Sequence, residues 1–496
     1  MRRLSRRALA TTSLMVALAI GLSACGGGSK AAPSPTPKPS PISLGSGNPF
    51  DDLRTAAAHM PTTADVLAAG LPVGGKSTSP PAGPTTPPSA GATAAPATGP
   101  DSAAAALRAK LTHLLTEHVW LAGLAVATAY HFGAESPQFG LAAATVDKNS
   151  VDVAEVVGGV APDQKASFLQ AWRSHVTDLV NYAKGAKAGG SNGDKMKQDA
   201  DANLLAYARS QGEFFAKITN GALSADVVRQ SLTTHISLLA GAVDALAASS
   251  NDAFKKLKQA AAHMPDMAAT LTSGVAKSAN IPGDSADKAS VLRSNLTGLL
   301  TSHVYLTGVA VFTAYSMPGG TDAPAFKAAT DALDTNSQDL ATTVGRVDRG
   351  KQDAFLQLWR SQISDLVVYT KAAANSDAAG KARAMSNLDS YRASAGKFFA
   401  DLSGGALNAD AVAASLREGV DSLTAAIDSL KSAVLNVPVT VPTSAPTVSA
   451  APTPSESASP TATSRTRKTN TPTPSLSPSA RASASASASV SASSSP

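Results

Sequence analysis

LRAKLTHLLTEHVWLAGLAVATAY, from Leu107 to Tyr130, returns as LRSNLTGLLTSHVYLTGVAVFTAY, from Leu292 to Tyr315. In the first copy Leu107, Leu111, Leu114, Leu121 and Ala125 recur at spacings built from threes and fours. That is the apolar stripe of an amphipathic α-helix, not the alternation of a half-buried strand. Two further stretches repeat in the same order. FLQAWRSHVTDLVNYAK from Phe168 matches FLQLWRSQISDLVVYTK from Phe355, and GEFFAKITNGALSADVV from Gly212 matches GKFFADLSGGALNADAV from Gly396. A further echo joins RTAAAHMP, from Arg54, to KQAAAHMP, from Lys258. Self-similarity held in order and spacing is the signature of a tandem duplication.

Outward from that stretch each copy reads as helix after helix. A second stripe carries Phe139, Ala142, Val146, Val153 and Val156 and stops at Gly158-Gly159. A third carries Phe168, Trp172, Leu179 and Tyr182. A fourth carries Leu204, Tyr207, Phe214 and Phe215 and stops near Asn220-Gly221, and a fifth runs from about Ser224 through Val228, Leu232, Leu239 and Leu246. Glycine and asparagine tolerate the left-handed backbone that ends a helix, while Ser and Asp accept from the free amides that begin one. Short connections between such helices favour antiparallel neighbours. The expected fold is therefore all-α, two tandem antiparallel helical bundles flanked by disordered linkers.

The N-terminus has a different logic. Four arginines, an apolar run from Leu14 to Ile20 and the small-residue turn Leu22-Ser23-Ala24 precede Cys25. This is the layout of a secretory leader. Leu22-Ser23-Ala24-Cys25 resembles the lipobox of bacterial lipoproteins. The resemblance implies cleavage before Cys25, a diacylglyceryl group on its thiol, palmitate-type acyl chains and anchoring on the extracytoplasmic face of the cell membrane. Each buried methylene contributes roughly 0.8 kcal/mol, so several chains hold a protein at a bilayer without a spanning helix. Ser5-Arg6-Arg7-Ala8-Leu9 also resembles a twin-arginine export signal, and Sec export stands beside it as the other route.

Cys25 is the only cysteine. With its thiol lipidated, no disulfide, thiolate metal site or cysteine nucleophile remains. The formal charge is +6, but four positives sit in the leader and a net three in the segment after Asn436. The body between is left at about −1, which lacks the electrostatic footprint of a nucleic-acid binder. Membrane lipid, through acylated Cys25, is the expected partner, with a cell-wall polymer or a protein as further candidates.

Gly26 to Gly47 and Gly74 to Pro100 are rich in Ser, Pro and Gly, and from about Pro438 the chain is Pro/Ser/Thr/Ala repeats. Such composition buries too little to fold. The last segment resembles the glycosylated stalks of secreted proteins. The expected division is a leader over 1–24, a lipidated tether over 25–47, a short helix over 48–73 and a disordered linker over 74–100. The first bundle covers 101–280, the second 281–434, and a disordered tail 435–496.

Polar residues on the apolar stripes are the candidates for chemistry. His118, Asn149, His175 and His235 each fall in the stripe of a different helix, so four side chains are expected to turn toward the bundle axis. Three imidazoles at one height suit copper or zinc, with Asn149 as a fourth ligand or an outer partner. In the second copy these positions read His303, Asn336, Gln362 and Gly419. A metal site would thus belong to the first copy alone. The alternative is a buried hydrogen-bonded layer that fixes helix register without any metal. His59-Met60 and His263-Met264 form a second copper-like pairing, although the methionines lie on inward stripes and suit a core. Trp172-Arg173 and Trp359-Arg360, each with an aspartate five residues beyond the arginine, read as packing and surface ion pairs.

No HExxH, dinucleotide fingerprint or di-iron Glu-x-x-His pair occurs, and no catalytic residue is assigned. The chain is expected not to be an enzyme and to need no cofactor. The repeated EHV or SHV, WRSH and AAAHMP motifs, over about Phe50 to Val434, resemble helical modules of secreted Gram-positive proteins, some labelled copper amine oxidase-like. The resemblance brings no oxidase site, since that chemistry needs a cofactor-forming tyrosine and a histidine cluster on a large β-rich domain.

Overall fold

The computed structural model describes residues 46–73 and 99–435. All of these lie in the first of two compact units, which ends at Ala445. The leader, Cys25, most of the tether and of the 74–100 linker, and the tail after Leu435 lie outside the described residues. Among the described residues the structure is helical, with short 3₁₀ turns and no strand.

In chain order the helices are α1 Pro49–Ala58, α2 Met60–Gly70, α3 Ala103–Phe132, α4 Pro137–Gly158, α5 Lys165–Ala188, α6 Gly190–Ile218 and α7 Ala225–Ala247. They continue as α8 Ala253–Ala262, α9 Met264–Ser278, α10 Lys288–Ser316, α11 Pro324–Val347, α12 Gln352–Ala374, α13 Ala378–Leu402 and α14 Ala409–Val434. Side-chain caps start several of them. Ser102 accepts from the Ala105 amide, Ser136 from Phe139, Asp287 from Ala289 and Ser290, and Asn408 from Ala411. Residues 48–73, expected as one short helix, form two. Pro61 has no amide to continue the hydrogen-bond ladder, and Pro265 marks the same junction between α8 and α9.

One continuous apolar core runs through all fourteen of these helices. Its centre is the pair α3 and α10, which lie against each other. Across their contact Thr112 Oγ1 and Ser294 Oγ are 2.7 Å apart, Trp120 Nε1 donates to Ser302 Oγ at 3.1 Å, and Tyr305 OH donates to Glu117 Oε2 at 3.1 Å. Around α3 stand α4, α8 and α9, with α5 to α7 completing that side. Around α10 stand α11, α14 and the first two helices. The hairpin α1–α2 thus packs on α14 and α10, as α8–α9 packs on α7 and α3. A glycine admits each approach: a methyl at Gly123 would overlap Leu257 of α8, and one at Gly308 would overlap Leu53 of α1.

The Pro-Gly connection after Ile281 is docked. The Pro282 carbonyl accepts from the Ala104 amide at 3.0 Å, and Gly283, at φ +105°, lies where any larger residue would meet Ser102. α10 is the one described helix long and apolar enough to cross a membrane, and 94% of that window is buried inside the protein.

Candidate functional site

The inward stripes bring three imidazoles together. His118 comes from α3, His175 from α5 and His235 from α7, and all three are buried. The His118 and His175 Nε2 atoms are 3.4 Å apart, with ring centroids at 5.2 Å, and the His235 ring lies 5.8 Å from His118. Trp172 meets His118 and His175 edge-on, and Tyr207 of α6 stacks on His175 at 4.6 Å. Burial pushes the His118 imidazole down to about 4 and that of His235 to about 3, and holds His175 well below the ordinary histidine range. The cluster is neutral at physiological pH, so its 3.4 Å contact needs one protonated and one bare nitrogen.

Asn149 of α4 turns to other partners. Its amide donates to the Leu114 carbonyl and to Glu117 Oε1, both at 3.0 Å. Nor is the layer closed by hydrogen bonds as the metal-free reading expected. His118 Nδ1, His235 Nδ1 and Asn149 Oδ1 have no partner, and in the second copy neither ring nitrogen of His303 has one. There Gln362 and Gly419 stand in place of His175 and His235, and the Met60 methyl approaches Gly419 closely enough that a Cβ would sit 2.9 Å from it. Among the described residues no three His, Cys, Asp or Glu side chains are grouped so as to hold a metal ion as they stand.

A second polar centre lies beside this one, and the stripe reading missed it. Glu117 of α3 is fully buried. Its Oε1 accepts from Arg54 Nε at 2.7 Å and from Asn149, while its Oε2 accepts from Tyr305 and lies 3.5 Å from His113 Nε2. Arg54 also pairs with Asp152, and His113 Nδ1 meets Thr301 Oγ1 at 3.0 Å. Burial alone would lower the Arg54 guanidinium, but the charge and hydrogen bond of Glu117, with those of Asp152, raise it above its ordinary value. Burial, then the Glu117 charge, raises Tyr305 far above the phenol range, so it stays a donor. Burial lowers His113 despite the neighbouring carboxylate. The signal available in the sequence was a glutamate inside the otherwise apolar run LLTEHVWLAGL.

The remaining candidates resolve simply. Met60 and Met264 are buried core residues. His59 faces Glu418 at 3.8 Å, and His263 Nε2 lies 3.2 Å from the Ser231 carbonyl. The tryptophans beside the arginines are packed as expected, but the ion pairs run to other partners. Arg173 binds Asp147 through two nitrogens at 2.6 and 2.8 Å, and Arg360 binds Asp334 likewise at 2.7 and 2.8 Å. Asp178 and Asp365 instead accept from Asn203 and Asn387 on the adjacent helix. The side chain five residues along a helix is rotated too far round the axis to face its own arginine.

The imidazole centre is neutral and buried, whereas the Glu117 centre reaches the surface through Arg54 and Asp152. The second sets the Thr301 hydroxyl beside His113, whose other nitrogen faces Glu117, but all three side chains are buried. Comparison of the chain with protein-family models, curated proteins and solved structures returns no match.

Proposed function

We propose that this chain is a membrane-anchored extracytoplasmic lipoprotein acting as a non-enzymatic structural or binding module of the cell envelope, its two repeats forming tandem bundles. The observation that carries the reading is the burial of the two polar centres, His118 with His175 and His235, and Glu117 with His113. Glu117, fully buried, already receives Arg54, Asn149 and Tyr305. An enzyme keeps its acid, base or nucleophile within reach of substrate. A scaffold closes such groups on one another, and a lipid on Cys25 together with linkers too poor in apolar residues to fold accounts for the rest of the sequence.

A second reading, copper or zinc held by His118, His175 and His235, is favoured by one distance. Two nitrogens each about 2.05 Å from a tetrahedral zinc stand roughly 3.4 Å apart. The His118 and His175 Nε2 atoms stand 3.4 Å apart. His235 needs to turn toward them, and no carboxylate is present in the cluster to offset the charge of an ion.

One preparation tests both. The untagged full chain is expected in the membrane fraction and released by Cys25→Ala. Elemental analysis is expected to find no stoichiometric metal. Membrane retention and lipid labelling unchanged by Cys25→Ala would overturn the anchor, and copper or zinc at one per chain, lost in His175→Ala, would replace the first reading with the second.

A further inference from the structure

The correspondence between the repeats breaks beside the central helix pair, and the break is lined with polar groups. On the α1 side His113 fills the space next to Glu117, between Thr301 and the carboxylate. On the α8 side the repeat sets Gly298 for His113, Ser302 for Glu117, Thr116 for Thr301, Lys258 for Arg54 and Asn336 for Asn149. No ring enters there. A groove of about 250 Å³ opens instead, lined among others by Lys258, Asp266, Gly298, Ser302, Asn336 and Arg346.

Two buried polar atoms at this place lack partners. Asn336, 1% exposed, lines the groove with its Oδ1 unpaired. Thr116 Oγ1, the counterpart of the atom that meets His113, is also unpaired and lies 3.8 Å from where a Cβ on Gly298 would stand. Ser302 Oγ accepts from Trp120 and keeps its own proton to donate. At the rim Lys258 is tied to Asp339, while Asp266 and Arg346 are exposed and make no ion pair among the described residues. The lining carries equal positive and negative charge, so it suits a ligand with both.

Building on the reading of the chain as a binding module, we propose that this groove binds a small zwitterion bearing an imidazole-like ring, with free histidine as its type. The ring takes the place that His113 holds in the other repeat, beside Ser302 and Asn336. The ammonium and carboxylate meet Asp266 and Arg346.

The test is isothermal calorimetry on the full chain with L-histidine, imidazole and glycine as probes. L-histidine is expected to bind about tenfold more tightly than imidazole, a difference of one charge-assisted pair, and glycine to give no saturable heat. Gly298→His, which supplies the ring from the chain, is expected to abolish binding of both rings. A Cβ there stands 3.1 Å from Pro265 Cγ and 3.3 Å from Thr112 Cγ2, so the fold of this variant is checked by its thermal melt. Arg346→Ala, on the exposed rim, is expected to leave imidazole binding unchanged and to remove the advantage of histidine. No saturable heat from either ring, or full binding by a folded Gly298→His chain, overturns the assignment. Membrane retention through Cys25, read in the same preparation, separates that failure from failure of the lipoprotein reading.

Discussion

Glu117 shows what one substitution between repeats can build. Its counterpart is Ser302, and around the glutamate Arg54, Asn149, Tyr305 and His113 have closed into a network that the serine cannot organise. The buried histidines make a measurable prediction about pH. His118 and His303 are pushed down to about 4 by burial, and His235 to about 3. Their folded values lie below the unfolded value of about 6.5, so the unfolded chain takes up protons first as pH falls. The stability they contribute is complete above about 6.5 and is lost on acidification, by up to about 1.4 kcal/mol per pH unit for each ring until its own folded pKa is reached. Tm is expected to hold near neutrality and to drop toward pH 4, and His303→Phe, which removes one titrating ring from the second repeat, is expected to flatten that drop. A Tm independent of pH across this range contradicts the assignment of neutral buried rings. The convergence of His118, His175 and His235 was legible in the sequence, because each sits on a stripe with one inward face. Glu117 and His113 were not. α3 is buried on nearly every side, so its second face, the one turned to α10 and α1, looked from the sequence like solvent.

At the scale of the helix, boundaries were the most readable feature, since α4 ends at Gly158, α6 ends just before Asn220-Gly221 and α7 begins after Ser224, although Ser224 makes no side-chain cap bond. The division of residues 48–73 escaped because AAAHMP carries an uninterrupted apolar pattern into Pro61, and the pattern does not record a missing amide. Close approach between helices offers a contrast within one residue type. Gly396 of α13 packs so tightly on the Ala409 carbonyl that opens α14 that a methyl would overlap backbone, which cannot rotate away. Gly241, within α7, has nothing within 4 Å of an added methyl. Gly396→Ala is expected to destabilise the protein by about 1–3 kcal/mol through overpacking. Gly241→Ala is expected to stabilise by up to about 1 kcal/mol through helix propensity. Urea denaturation of the two variants reads both signs.

For the molecule as a whole, the repeat was plain in the sequence while the partner of the first hairpin was not. Sequence periodicity says which face of α1 is apolar but not which helix covers it, and the covering helix is the last one described. Ser429 Oγ donates to Asp52 Oδ2 at 2.5 Å, and Thr63 and Ser415 hydroxyls meet at 2.9 Å. Removing residues 46–73 is therefore expected to uncover apolar surface on α10 and α14, lower Tm and raise binding of a hydrophobic dye. A peptide spanning those residues is expected to reverse both effects, and a truncated chain as stable as the whole would refute the pairing. The same arrangement sets an order of events during synthesis. Asp52 leaves the ribosome 377 residues ahead of the serine it bonds. Contacts between such distant segments are slow to form. The hairpin made first must wait, greasy side uncovered, until the final helix has been translated and delivered, which makes that interval the one in which the newborn chain most needs a chaperone.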